Sequence, residues 1–169
     1  MVTYLRAHSP EVRIVGVEPT GAVSMSAALV EGGPVTLTDI DPFVDGAAVK
    51  RIGALGHRVM ADAGATVAQH PDLPPSGTVH RGHEELPAGA THITHVDEGA
   101  ICSAMLELYQ NEGIIAEPAG ALAATALEDL PIEPGSTVVC LISGGNNDVS
   151  RYGEVLERSL VHLLSLIHI

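Results

Sequence analysis

The apolar positions of this chain fall into short runs separated by glycine, proline and charged punctuation. Val12 to Val17 is a β-branched run, closed by the turn Glu18-Pro19-Thr20-Gly21. Thr91 to Val96 reads as a second strand, followed by Asp97 as the cap of a helix whose Ile101, Met105 and Leu108 recur at helical spacing. Val138 to Ile142 is apolar without alternation, the pattern of a strand covered on both faces. It ends in Ser143-Gly144-Gly145, with Asn146 or Asp148 placed to cap a last helix from about Val149. The spacing predicts further helices over Ser24 to Val30, from Val44-Asp45-Gly46 to about Ala63, and over Ala119 to Leu130 with Pro118 in the first turn. Val2 to His8 reads as the end of a helix that Pro10 stops. Strands and helices thus alternate as in β–α–β units, which predicts an α/β fold with a mostly parallel sheet flanked by helices.

One segment breaks the rhythm. Residues 66–90 hold His70, Pro71, Pro74, Pro75, Gly77, His80, Gly82, His83, Pro87 and Gly89, the composition of an irregular insert. The pairs His80/His83 and His92/His95 have ligand-like spacing but no cysteine or well-placed carboxylate, so no metal site is expected there.

Composition narrows the function classes. Hydrophobic residues make up 46% of the 169 residues and aromatics 2%, so the core must be built from Ala, Val, Leu and Ile. A net charge of −13 argues against nucleic-acid and anionic-membrane partners, which need clustered Lys and Arg. Cys102 and Cys140 sit in apolar surroundings and read as buried thiols of a reducing compartment. No apolar run approaches the ~20 residues of a membrane span, and the start lacks the layout of a signal peptide, so a cytoplasmic location is expected.

A serine at the end of a strand and before a glycine turn lies where open α/β sheets bind ligands. Four stretches in order sharpen that reading: VRIVGVEPTGAVSMSAAL, FVDGAAVKRIG, MLELYQNEGIIAEPAGALAATAL and VVCLISGGNNDVSRYGEVLERSL. Together they resemble the C-terminal portion of the catalytic domain of biosynthetic threonine dehydratase (threonine ammonia-lyase), a fold-type-II (tryptophan synthase β-like) pyridoxal-phosphate enzyme family. The resemblance covers residues 1–163 apart from the 66–90 insert.

The resemblance implies pyridoxal 5'-phosphate as cofactor and L-threonine, with L-serine as second candidate, as substrate. The implied reaction is dehydration and deamination to 2-oxobutanoate and ammonia, on the way to isoleucine. Ser143 matches the family serine that hydrogen-bonds the pyridine nitrogen, a neutral partner that favours β-elimination over transamination. Gly144 belongs to the same turn. Glu117 matches a glutamate near the cofactor ring, and Asp45 and Gly46 match a loop beside it. A homo-oligomer is implied for the full-length protein.

The resemblance also implies parts that are not found here. The family's cofactor lysine and glycine-rich phosphate loop have no match, and the one lysine, Lys50, stands elsewhere, as a solvent-facing helix residue. The chain is therefore expected to be a fragment that is inactive alone, with no catalytic residue of its own and with apolar sheet surface exposed. Glu18 stands where serine racemase relatives bind a divalent cation, but Ser24 replaces the second carboxylate, so no metal is expected. Residues 164–169, LSLIHI, depart from the family pattern and read as an adapter-derived tail. Two alternatives stand beside this reading: a non-catalytic α/β ligand-binding or subunit-pairing module, and another fold-type-II enzyme such as serine racemase or dehydratase.

Overall fold

The computed structural model describes residues 1–73, 79–80 and 86–167. A parallel sheet organises it. Strand β1 (Ile14–Pro19) pairs with β4 (Thr91–Val96) in register from Ile14 opposite Thr91 to Pro19 opposite Val96. Strand β2 (Thr66–Ala68) pairs with the other side of β4, and β3 (Val79–His80) with β2, giving the order β1-β4-β2-β3. All three pairings are parallel, as the alternation of elements predicts.

Helices lie on both faces, because successive strand residues point to opposite sides. Ile93 packs with Met60 and Ala65, joined by Val2, Met25 and Leu29, under helices α1 (Val2–His8), α2 (Ser24–Glu31) and α3 (Ala54–Asp62). Val96, on the opposite face, packs with Val17 against α4 (Glu98–Glu112), α5 (Pro118–Thr125) and α6 (Tyr152–Ile167). That second cluster contains Phe43, Val44, Ile101, Met105, Leu122 and Val155, and it is the larger. Small side chains let the backbones close in. A β-carbon at Gly16 would meet Ile93 Cδ1 at 2.6 Å, and one at Gly99 would meet the Arg158 carbonyl of α6 at 2.9 Å.

Caps explain several boundaries. Asp97 accepts from the Gly99 and Ala100 amides and starts α4, and Gly113 ends it in the left-handed region at φ 68°. Pro118 opens α5. Asp148 accepts from the Ser150 amide and caps a short 3-10 turn, Val149–Arg151, that leads into α6. α6 continues through Ile167, across the expected boundary at residue 164.

Five expectations are corrected. Val138 to Ile142 is not a buried strand: it has no ladder partner among the described residues, and Val138, Val139, Leu141 and Ile142 are 47%, 81%, 54% and 37% exposed. An apolar run specifies burial only where another strand is available to cover and pair with it. The helix expected from Val44 starts ten residues later, at Ala54. The Val44 carbonyl accepts from both Ala47 and Ala48, and Asp45 Oδ1 accepts from the Gly46 amide, so the backbone there is spent on a turn. Lys50 is exposed as expected, but in this turn region and not on a helix. Finally, the 66–90 segment is not wholly irregular: Thr66–Ala68 is an inner strand with Val67 fully buried, and His70 is buried after it. The remaining helix, expected over Ala119 to Leu130, is shorter, with a 3-10 turn at Ala126–Glu128.

Candidate functional site

The N-terminal end of α5 gathers the residues singled out from the sequence. Glu117 is its N-cap, in extended backbone at φ −77° and ψ 165°. The Glu117 amide donates to the Gly144 carbonyl at 3.0 Å, which draws the Ser143-Gly144 turn across the helix start. A β-carbon at Gly144 would overlap the Glu117 carboxylate, and one at Gly120 would overlap the Gly144 carbonyl. Glycine is thus required at both positions by close approach, not by a positive φ. The Asn147 side-chain amide donates to the Ala116 carbonyl at 3.2 Å and fixes the far side of the turn.

The second loop arrives from the other direction. A β-carbon at Gly46 would stand 2.8 Å from Ala119 Cβ and 3.7 Å from Glu117 Oε1. Glu117 therefore lies between the Gly46 turn and the Gly144 turn. Asp45 and Ser143, next to these glycines, are exposed. The structure brings Glu117, Gly46 and Gly144 together, with Asp45 and Ser143 as their neighbours in the chain. It does not place Ser143 at the end of a strand, because the preceding segment is unpaired. That segment lies along α5 instead, where the Cys140 thiol points to the Ala123 carbonyl at 3.5 Å.

What this arrangement offers chemically is the half-buried Glu117 carboxylate between two glycine turns, with the exposed Ser143 hydroxyl next in the chain to Gly144. Sequence reasoning missed the residues that build it: Ala119 and Gly120 on α5, Asn147, and the Phe43, Arg151 and Arg158 group behind the Gly46 loop. For Gly120 the Pro-Ala-Gly-Ala run was a usable signal, since a glycine inside a helix often marks close approach.

Glu18 is the other functional candidate. Its carboxylate accepts from the Met25 amide at 2.7 Å, the Ser26 amide at 3.0 Å and the Ser26 hydroxyl at 2.7 Å. It thus serves the start of α2. Burial pushes its carboxyl up, and the Met25 and Ser26 hydrogen bonds pull against that. Ser26 Oγ is also 2.8 Å from His95 Nε2. His92 contacts Thr66 Oγ1 at 2.9 Å. An H-x-x-H pair on a strand faces two ways, and these two histidines accordingly have partners on opposite sides of the sheet. His83 lies outside the described residues, as does the side chain of His80. Among the described residues no group of three His, Cys, Asp or Glu could hold a metal ion. No helix among them is long and apolar enough to cross a membrane. Cys102 is fully buried, and desolvation pushes its thiol up to about 12.

Residues 1–144 match the family model described as pyridoxal-phosphate dependent enzyme. The biosynthetic L-threonine dehydratase of Mycobacterium tuberculosis is 56% identical over 163 residues, which is 96% of this chain and 32% of that protein. The corresponding dehydratase of Corynebacterium glutamicum is 50% identical over 162 residues, 96% of this chain and 32% of its own length. Among solved structures, the processed form of threonine deaminase isoform 2 from Solanum lycopersicum superposes with a TM-score of 0.71 at 28% identity, covering 94% of this chain and 39% of that one. The chain therefore spans about a third of the length of the curated relatives it matches. With its parallel sheet, its glycine-bounded Glu117 and this family match, the chain belongs to the pyridoxal-phosphate dependent enzymes.

Proposed function

We propose that this chain carries the ring-facing part of a pyridoxal 5'-phosphate site in an L-threonine dehydratase, a lyase that forms 2-oxobutanoate and ammonia. The observation that carries the reading is the convergence of the Gly46 and Gly144 turns on Glu117. The residues fit the group in kind: the glycines let two turns close onto the Glu117 carboxylate, and the exposed side chains next to those glycines, the Ser143 hydroxyl and the Asp45 carboxylate, can hydrogen-bond a heteroaromatic ring. When bound, the cofactor supplies the electron sink that makes loss of a β-hydroxyl feasible.

The chain's own residues would hold and tune. Ser143 would hydrogen-bond the ring nitrogen as a neutral partner, and Gly144 would let the backbone approach. Glu117 would face the ring edge, and Asp45-Gly46 would border it on the other side. The substrate class is a β-hydroxy amino acid, L-threonine first and L-serine second. The cytoplasm is the proposed location and a homo-oligomer the proposed assembly. Lys50 is exposed and away from regular structure, so it offers no built anchor for the cofactor aldehyde.

Equilibrium titration of the 169-residue chain with pyridoxal 5'-phosphate, followed by difference absorbance, tests this. Saturable binding is expected, weakened about five- to tenfold in Ser143→Ala, the worth of one hydrogen bond of about 1–1.5 kcal/mol. Binding that ignores the substitution would remove Ser143 from the site. The chain alone should form no 2-oxobutanoate from L-threonine, and measured turnover would overturn its reading as one part of the site.

A further inference from the structure

The loop that presents Asp45 and Gly46 has no helix or strand of its own, yet Phe43 is 3% exposed and Val44 is fully buried. Hydrogen bonds anchor its base. The Asp41 amide donates to the Gly21 carbonyl at 3.0 Å, and Asp41 Oδ1 accepts from the Phe43 amide at 2.9 Å. Two arginines then close over it, Arg151 at the end of the 3-10 turn and Arg158 within α6. Arg158 Nη1 donates to Asp41 Oδ2 at 2.9 Å, and Arg151 Nη2 donates to the Phe43 carbonyl at 2.7 Å. Both guanidinium groups lie over the Phe43 ring, 4.9 Å away for Arg151 and 4.2 Å for Arg158. Arg151 Nη1 is also 3.9 Å from Asp45 Oδ2. Glu154 stands between the two on the helix, 3.0 Å from Arg158 Nε and 3.9 Å from Arg151 Nε, and keeps both oriented.

Loose surface ion pairs do little for stability. This group differs because each guanidinium combines a stacked face with hydrogen bonds in its plane, which lysine cannot reproduce. It also joins two parts of the site. The stretch from Gly144 to Arg158 touches Glu117 at one end, through the Gly144 carbonyl, and grips the opposing loop at the other.

We propose that Arg151 and Arg158 are positioning residues: by clamping Phe43 and Asp41 they keep the Gly46 turn beside Glu117, in register with the Ser143-Gly144 turn. That the space so defined receives a pyridoxal ring rests on the function proposed above, whereas the clamp itself does not.

Amide hydrogen exchange on the whole chain separates the two. In Arg158→Gln, and independently in Phe43→Leu, the amides of Asp41, Phe43, Ala47 and Ala48 should exchange about tenfold faster, while those of β4 and α4 keep their rates. Arg158→Lys, which retains charge without the planar fork, should behave like Arg158→Gln. Unchanged loop exchange in both Arg158→Gln and Phe43→Leu would overturn the clamp, and so would a rise shared equally by α4, which would mean general destabilisation. A matching loss of pyridoxal 5'-phosphate affinity supports the clamp as part of the site. Loop exchange that accelerates in a chain with no affinity for pyridoxal 5'-phosphate in any form supports the clamp and overturns the cofactor reading.

Discussion

At the scale of single residues, the site depends more on what glycine omits than on what side chains add. Gly46, Gly120 and Gly144 each leave out a β-carbon that would strike a neighbour, and the Glu117 carboxylate occupies the space between two of them. A different residue governs the response to acid. Burial, then the positive fields of His70 and His92, lower the His95 imidazole from 6.5 to about 4. Between those two values the unfolded imidazole binds a proton that the folded one refuses. Its contribution is therefore full above pH 6.5 and gone once the pH has fallen through about 4. Over that window it is worth at most about 3 kcal/mol. Glu18, held above the ordinary carboxylate range by burial, works the other way, since its cost at neutral pH is relieved on acidification. His95→Gln should thus lose less of its thermal midpoint than the parent chain between pH 7 and pH 4.5. Parallel slopes in the two proteins would show that His95 does not set the acid response.

At the scale of elements, α4 is the piece around which the second core forms. It buries Ile101, Cys102 and Met105, and Ser103 on its flank is 2.9 Å from Ser159 of α6. Its start relies on Asp97, whose Oδ1 accepts from the Gly99 amide at 2.8 Å and lies 3.2 Å from His162 Nδ1 of α6. Asp97→Ala should cost about 1 kcal/mol, the usual worth of an N-cap, measured as a shift in denaturant midpoint at constant m-value. Asp97→Asn, still able to cap, should recover most of it. Asp41 belongs to the same scale, since it ties a loop to a helix. Burial draws its carboxyl up, but the Phe43 amide and the Arg158 guanidinium outweigh that and hold it below the ordinary range. The tie is present at neutral pH and fails only as the pH falls below the usual aspartate value and on through the lowered one.

At the scale of the whole molecule, an extended apolar segment is left without cover. Val139 is 81% exposed and Leu141 54%, in a stretch with no ladder partner among the described residues. Such a surface is a template for association. The chain should therefore self-associate as concentration rises, and Val139→Lys should lower the weight-average mass seen in sedimentation while leaving the melting midpoint within about 0.5 kcal/mol of the parent. Equal association of both proteins would place the contact elsewhere.

The sequence by itself determined the class of fold, the β1 and β4 strands, the cap at Asp97 and the helix start at Pro118, because those depend on local period and local hydrogen bonding, and it narrowed the last cap to Asn146 or Asp148. It also singled out the candidate site residues Glu117, Gly46 and Gly144, because short motifs in a fixed order carry a family resemblance. The tertiary structure alone decided how those residues meet. That Gly144 sits on Glu117, that His92 and His95 part company, that Thr66–Ala68 becomes an inner strand and that Val138 to Ile142 does not, all turn on which partner each segment finds. A strand's hydrogen bonds are made with another stretch of chain, so its own pattern cannot say whether that stretch is there. The two arginines over Phe43 were hidden for the same reason: Phe43 and Arg158 are brought together by the packing of α6, across more than 100 residues of sequence.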